Sequence, residues 1–314
     1  MLNSLQYMSI KQSIPAQYGI ISSMKKKETL QRHGQIANDA MHYIVEYLDT
    51  DIQAGELAEV LGVSVFHLHR IFHEQMGRSL YQTIQSLRLQ KAGSLLLTNP
   101  HTTISEIARM CGYSSQSSFL RAFKGRFGQT PRAWRRGGHR EFVSRLFDEK
   151  MDREQDHWQS LLPRIVRLPA RPVYYLRHQG YTPAIAQTWQ KIQSWLYTHE
   201  IETATQIGVY HDNPAVTPLD ACHYVACVAV DSREDLHDSD LSVTEIPGGL
   251  YAVFESAGEY GDILGLIKWV YHVWLPGSGY ETTTAPSFTV FSKNHFLSED
   301  GRFEGEYYVP IRYG

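Results

Sequence analysis

In the stretch GYSSQSSFLRAFKGRFGQTP (112–131), Phe119, Phe123 and Phe127 recur every four residues, which predicts a helix with one buried face. Its other face carries Gln116, Ser117, Ser118, Arg121 and Lys124, with almost no acid nearby. Upstream, SLYQTIQSLRLQKAGSLLL (79–97) places Leu80, Ile84, Leu87, Ala92 and Leu95 at helical spacing behind a Ser79 cap. Near the end of the chain the period changes. Glu304, Glu306, Tyr308 and Pro310 alternate with Tyr307, Val309 and Ile311, which predicts a strand with one face against a core.

The helical part is a repeat. In 55–77, Glu56, Leu57, Ala58 and Gly62 match Glu106, Ile107, Ala108 and Gly112 at an offset of 50. After the turn, Leu68, Arg70, Phe72 and Gly77 match Phe119, Arg121, Phe123 and Gly128 at 51, so one residue is inserted at the turn. Each copy predicts a short helix, a glycine turn and a longer helix closed by glycine. Thr103 and Glu106 have capping-box spacing, and Ser64 and Ser114 or Ser115 are natural caps. The 79–97 helix would hold the two motifs about 25–30 Å apart. Successive major-groove faces on one side of B-DNA lie about 34–36 Å apart.

Composition narrows the partners. A chain of 314 residues, 42% hydrophobic and 20% charged, suits an ordinary globular protein of two domains. No segment approaches the roughly 18–20 apolar residues of a membrane span, and the N-terminus lacks the order of a signal peptide. Residues 1–34 are expected to be poorly ordered, with Met24 an alternative start. Three cysteines (Cys111, Cys222, Cys227) fit neither a disulfide framework nor a metal set, consistent with a cytoplasmic protein. His69 and His73 have zinc-pair spacing without a third ligand, so neither a metal nor another cofactor is expected. Residues 1–150 hold 19 Lys and Arg against 12 Asp and Glu, a balance of +7, while the remainder balances at −10. Such asymmetry assigns a polyanion to the first half and something else to the second.

The tandem motif, its spacer helix and the ending GYSSQSSFLRAFKGRFGQTPRAWRR resemble the DNA-binding domain of AraC/XylS-type transcription regulators, over about residues 35–137. The resemblance implies double-stranded DNA as partner, with Phe66, His69 and Arg70 as base-edge readers in the first long helix. In the second they would be Gln116, Ser117, Ser118 and Arg121. Arg and Gln can bind guanine and adenine bidentately, and Phe66 could pack on a thymine methyl. Arg132, Arg135 and Arg136, after Pro131, would touch phosphate.

Residues 138–160 are charged and weakly patterned, and the linker is placed there. Beyond it LPARPVYYLRHQG (168–180) echoes IPGGLYAVFESAG (246–258) at an offset of 78, and an apolar helix follows each. Two further strands close each half. The fold class expected is therefore an all-α tandem helix-turn-helix domain followed by an α+β domain (161–314) of two β-α-β-β repeats, arranged as two sheets about a pseudo-twofold. With YHDNP (210–214) and EGEYYVPI (304–311), this half resembles the GyrI-like ligand-binding domain, and the whole chain the Rob-type regulators. That implies a lipophilic, often cationic effector in a groove between the halves. Glu306 with Tyr308 would supply a carboxylate beside an aromatic ring, with Tyr210, Tyr181 and Trp269 as further walls. RNA polymerase would be a further partner. No catalytic constellation stands out. A hydrolase of strained electrophiles using Glu306 as base, or a gyrase- or polymerase-binding module without small ligand, are the alternatives.

Overall fold

The computed structural model of the protein describes residues 16–146, 158, 161–230 and 241–314. The helical half holds α1 (Ala16–Glu46), α2 (Ala54–Val60), α3 (Val65–Met76), α4 (Leu80–Thr98), α5 (Ile104–Met110) and α6 (Gln116–Phe127). The caps lie where the sequence puts them. Ser64 Oγ accepts from His67 N at 3.2 Å and Ser115 Oγ from Ser118 N at 3.2 Å. Thr103 with Glu106 and Ser79 with Gln82 form reciprocal capping boxes. Gly77 and Gly128 close α3 and α6 at φ 67° and 71°, a conformation that costs other residues strain. The turn between α2 and α3 is one residue shorter than that between α5 and α6, as the change of offset requires.

Two separate cores form around α4. Its first half packs with α1, α2 and α3 through Leu80, Ile84 and Leu87, and its second half packs with α5, α6 and Trp134 through Leu89, Ala92, Leu95 and Leu96. Helix α1 enters the stretch expected to be poorly ordered (1–34) at Ala16; residues 1–15 lie outside the described residues. Beyond that stretch the helix is held by tertiary packing. Ile36, Ala37, Ala40, Met41 and Ile44 of α1 share a core with Leu68, Ile71 and Phe72 of α3. The expected linker is also structured at its start. After α7 (Pro131–Ala133) the chain turns through Trp134–Gly138, kinked at Gly137 (φ 111°), into α8 (His139–Leu146), whose Val143 joins the core of the second domain. Residues 147–157 and 159–160 lie outside the described residues.

The second half is one nine-stranded antiparallel sheet among the described residues, where the sequence predicts two. Its strands are β1 (Arg164–Leu168), β2 (Arg171–Gln179), β3 (Ala204–Tyr210), β4 (His223–Val230), β5 (Ser242–Ile246), β6 (Gly249–Glu259), β7 (Tyr280–Thr282), β8 (Ser287–Lys293) and β9 (Arg302–Tyr313). The order is β1-β6-β9-β8-β3-β4-β2-β5, with β7 on β9. Helices α9 (Ile185–Thr198) and α10 (Asp262–Trp269) cover one face. The halves meet because β3 pairs with β8, which fuses two sheets into one. The repeat is also longer than the sequence suggests: β1 and β5 lie 78 residues apart, and each pairs with the other half's strand, β1 on β6 and β5 on β2. Only Pro169–Ala170 and Pro247–Gly248 connect β1 to β2 and β5 to β6. Connections this short hold opposite edges of the sheet within about 10 Å, so the sheet curls. The two connections touch: a side chain on Gly248 would meet Ala170 N at 2.7 Å. Inside the curl, Val173, Tyr175, Ile207, Val225, Tyr251, Val253 and Phe288 form a core of their own.

Candidate DNA-reading faces and effector cavities

On α3, Phe66, His69 and Arg70 are exposed, Phe66 at 79%, while Leu68, Ile71 and Phe72 point inward. Arg70 Nη1 lies 3.8 Å from Glu74 Oε1 one turn on, an exposed pair that must loosen before the guanidinium can reach a base. On α6, Gln116, Ser117, Ser118 and Arg121 are exposed, and Phe119, Phe123 and Phe127 are buried. Arg121 opens on a groove of ≈ 570 Å³ between α4 and α6, with Tyr81 on the far wall. Tyr81 (71% exposed) and Leu120 (37%) are apolar surface beside the readers that helical periodicity does not single out.

The arginines after Pro131 divide. Arg132 and Arg136 are exposed and remain candidates for phosphate. Arg135 is turned inward, contrary to expectation. Its Nη2 donates to Thr102 O at 2.7 Å, in the loop before α5, and its Nε to Leu96 O at 3.4 Å, one of the last carbonyls of α4 that need donors.

The five residues expected around a ligand do not converge. Glu306 and Tyr308 share the inner face of the curled sheet, as their parity requires, and Tyr308 Oη donates to Glu306 Oε2 at 2.6 Å. Arg164 of β1 also donates to Glu306, so the carboxylate already has a cation. Burial, then the bond to Glu306, pushes the Tyr308 phenol up to about 12. Tyr210, Tyr181 and Trp269 are corrected to the opposite face, buried in the helix-covered core. Tyr210 Oη pairs there with Thr289 Oγ1 at 3.2 Å. For Tyr210, alternation along β3 decides this, since Ile207 and Val209 take the inner face and leave Tyr210 to the other.

Openings on the inner face include two among the described residues. One, ≈ 650 Å³, is lined by Glu255, Glu304, Glu306 and Trp158. The other, ≈ 450 Å³, lies between the domains, where Gln35, Asn38, Met41 and Val45 of α1 close over Pro172, Arg177, Val225 and Pro286. Arg177 donates to Tyr175 Oη at 2.7 Å and to Asn38 Oδ1, and its Nε is buried without an acceptor. Sequence reading missed this cavity because it needs both domains.

Residues 57–137 match a helix-turn-helix domain, and residues 162–312 match the GyrI-like small molecule binding domain. Over 109 residues the chain is 34% identical to the probable transcription factor PqrA of Proteus vulgaris, covering 33% of this chain and 88% of that protein. The chain belongs to the AraC/XylS family of transcription regulators. Other family members are much longer than the region shared. The chain is 34% identical to the xylose operon regulatory protein of Escherichia coli K12 over 31% of its own length and 24% of that protein's. It is 38% identical to the regulator GlxA of Rhizobium meliloti over 31% of each.

In this AraC/XylS protein the two domains are docked by polar contacts, by Val143 and Val216 buried in each other's cores, and by a histidine pair. His139 of α8 stacks on His272 at 5.5 Å with 13° between the rings. His139 Nδ1 faces Trp134 O at 3.0 Å and His272 Nε2 faces Ala215 O at 3.3 Å. Burial lowers both pKa values, His272 to about 3, against an ordinary 6.5. Arg140 near the first ring and Lys268 near the second lower them further. The unfolded chain therefore takes up protons below about pH 6.5 that the folded one refuses, and stability present at neutral pH is lost as pH falls from there toward 3. His272→Gln retains a donor for Ala215 O and removes the titration. The expected result is a shallower fall of melting temperature from pH 7 to pH 5 in the variant; parallel curves would remove His272 from the acid response.

Proposed function

We propose that the protein is a DNA-binding transcription regulator: residues 35–137 read duplex DNA with α3 and α6, and a small molecule held by residues 161–314 alters that engagement. The observation that carries this is the docked arrangement. The polar faces of both reading helices stay at solvent while the effector domain grips the helical domain elsewhere. The cavity under α1 supports a ligand-controlled regulator, because the same helix packs on α3. Met41, Val45, Leu87, Val225 and Val243 in its lining, with Arg177, suit a lipophilic molecule with an acceptor group, while Asp39 and Glu245 in the same lining disfavour a full anion. A lipophilic cation in the other opening would share Glu306 with Arg164, or pair with Glu255 or Glu304 beside it. Glu306 as a general base is already engaged by Arg164 and Tyr308, so we read the protein as a regulator and not an enzyme. Its place is the cytoplasm, with RNA polymerase as the further partner at a promoter.

The full chain should bind duplex DNA with affinity falling steeply as salt rises, through counterion release. Fluorescence anisotropy at several salt concentrations tests this. A folded protein with no salt-dependent binding would overturn the regulator reading. Matched anionic, neutral and cationic lipophiles then separate Arg177 from Glu306 as the polar contact, and unchanged recovery of the bound compound separates sensor from hydrolase.

A further inference from the structure

Residues 211–217, the first part of the loop between β3 and β4, enter the angle between the two helix-turn-helix modules and contact both. Asp212, with a side chain 0% exposed, is its centre. Its Oδ1 accepts from Arg78 Nη1 at 2.7 Å and from Gln90 Nε2 at 3.3 Å. Its Oδ2 accepts from His223 N at 3.1 Å and pairs with His223 Nδ1 at 2.6 Å. Burial alone would raise the carboxyl pKa, but His223 and Arg78 outweigh it and hold the group well below the usual range. Arg78 directly follows Gly77, the glycine that closes α3. Gln90 belongs to α4, and its Oε1 also accepts from Asn213 N at 2.9 Å.

The far end of the loop holds the second module. Arg126, in the last turn of α6, donates to Thr217 Oγ1 at 3.1 Å and Val216 O at 3.4 Å. Val216 is 4% exposed and belongs to the same core as Phe119, Phe123 and Phe127. The loop itself is stiff. Asn213 Oδ1 accepts from Ala215 N at 2.9 Å, Pro214 limits the backbone, and His211 N donates to His223 O at 3.1 Å where the strands end.

We propose that loop 211–217 is a positioning element for DNA reading: by holding the C-terminal ends of α3 and α6 it sets their separation, and so the spacing between the two base clusters the protein selects. This rests on the DNA-binding reading above. The two modules have separate cores and share α4. The loop adds a second, independent tie between them. His211, next to Asp212, also lines the cavity under α1, so a molecule bound there would lie one residue from the brace.

The test uses the full chain. An operator selected from a random pool is rebuilt with its two base clusters one base pair closer and one farther apart. One base pair displaces a cluster by about 3.4 Å, and the wild type should prefer the selected spacing by about tenfold or more. Asp212→Asn and Arg126→Ala leave every base-reading residue in place, and each should reduce that preference to about threefold or less. Arg126→Lys, which keeps one donor for Thr217, should restore part of it. A merely destabilised protein would lose affinity for all three spacings alike and keep their ratio. Should Asp212→Asn fail to fold, Arg126→Ala decides alone. An unchanged spacing ratio in a folded variant, or no spacing preference in a DNA-binding wild type, overturns the brace. A wild type that binds no DNA overturns the regulator reading instead.

Discussion

Phe123→Ala is expected to destabilise the second helix-turn-helix module by about 3–5 kcal/mol. Phe123 is fully buried, and its ring lies 4.5 Å from that of Phe127, 5.6 Å from Phe119 and 5.7 Å edge-on from Trp134. Trp134 is itself fixed by a 3.0 Å bond from its Nε1 to Gly93 O of α4, so the site cannot collapse to fill the space. The first module has a different core, built from α1, α2, α3 and the start of α4. Denaturant unfolding should therefore show an early transition for the second module and a later one for the first. DNA selection by the variant should keep the base cluster read by α3 and lose the one read by α6. A loss below about 1 kcal/mol would mean the aromatic stack repacks, and the module is less close-packed than its burial implies.

Arg121→Ala should weaken binding to the selected operator by about 1–3 kcal/mol, roughly 5- to 150-fold, with little effect on random DNA. The Arg121 side chain is exposed, with no ion pair or hydrogen bond to another group among the described residues. Nothing within the protein is broken by its removal, so a bidentate base contact would be lost undiluted. Arg70 differs, since Glu74 at 3.8 Å offsets part of any contact it makes. Arg132→Ala should weaken all sequences alike and flatten the salt dependence by about one phosphate contact. Equal losses of specific and random binding in Arg121→Ala would move this residue from base edges to the backbone.

The reading helices were legible in the chain because their signals are local. A cap residue, a four-residue aromatic period and a closing glycine act within one or two turns, so their spacing alone placed α3, α5 and α6 and exposed the readers. Parity likewise put Glu306 and Tyr308 on one face. What failed were inferences about what faces what. Tyr210, Tyr181 and Trp269 are aromatic and near the groove motifs in sequence, yet strand alternation and helix packing turn them into the other core. Arg135 reads as one of three basic residues, and only the position of the Leu96 and Thr102 carbonyls decides that it points inward.

The same division separates the two repeats from their assembly. An offset of 78 shows that each half contains a strand, a helix and two further strands, because a β-α-β-β unit leaves its periodicity in the residues that form it. The exchange of β1 and β5 between halves, and the pairing of β3 with β8 that makes one sheet, depend on backbone hydrogen bonds whose partners lie about 80 residues apart. Backbone bonds carry no side-chain signature. Asp212 makes the same point for function. Its sequence neighbourhood suggests a turn, but its partners Arg78, Gln90 and His223 come from both domains. A buried charge is tolerable only where folding has already gathered its donors, so its role as a junction exists only in the tertiary structure.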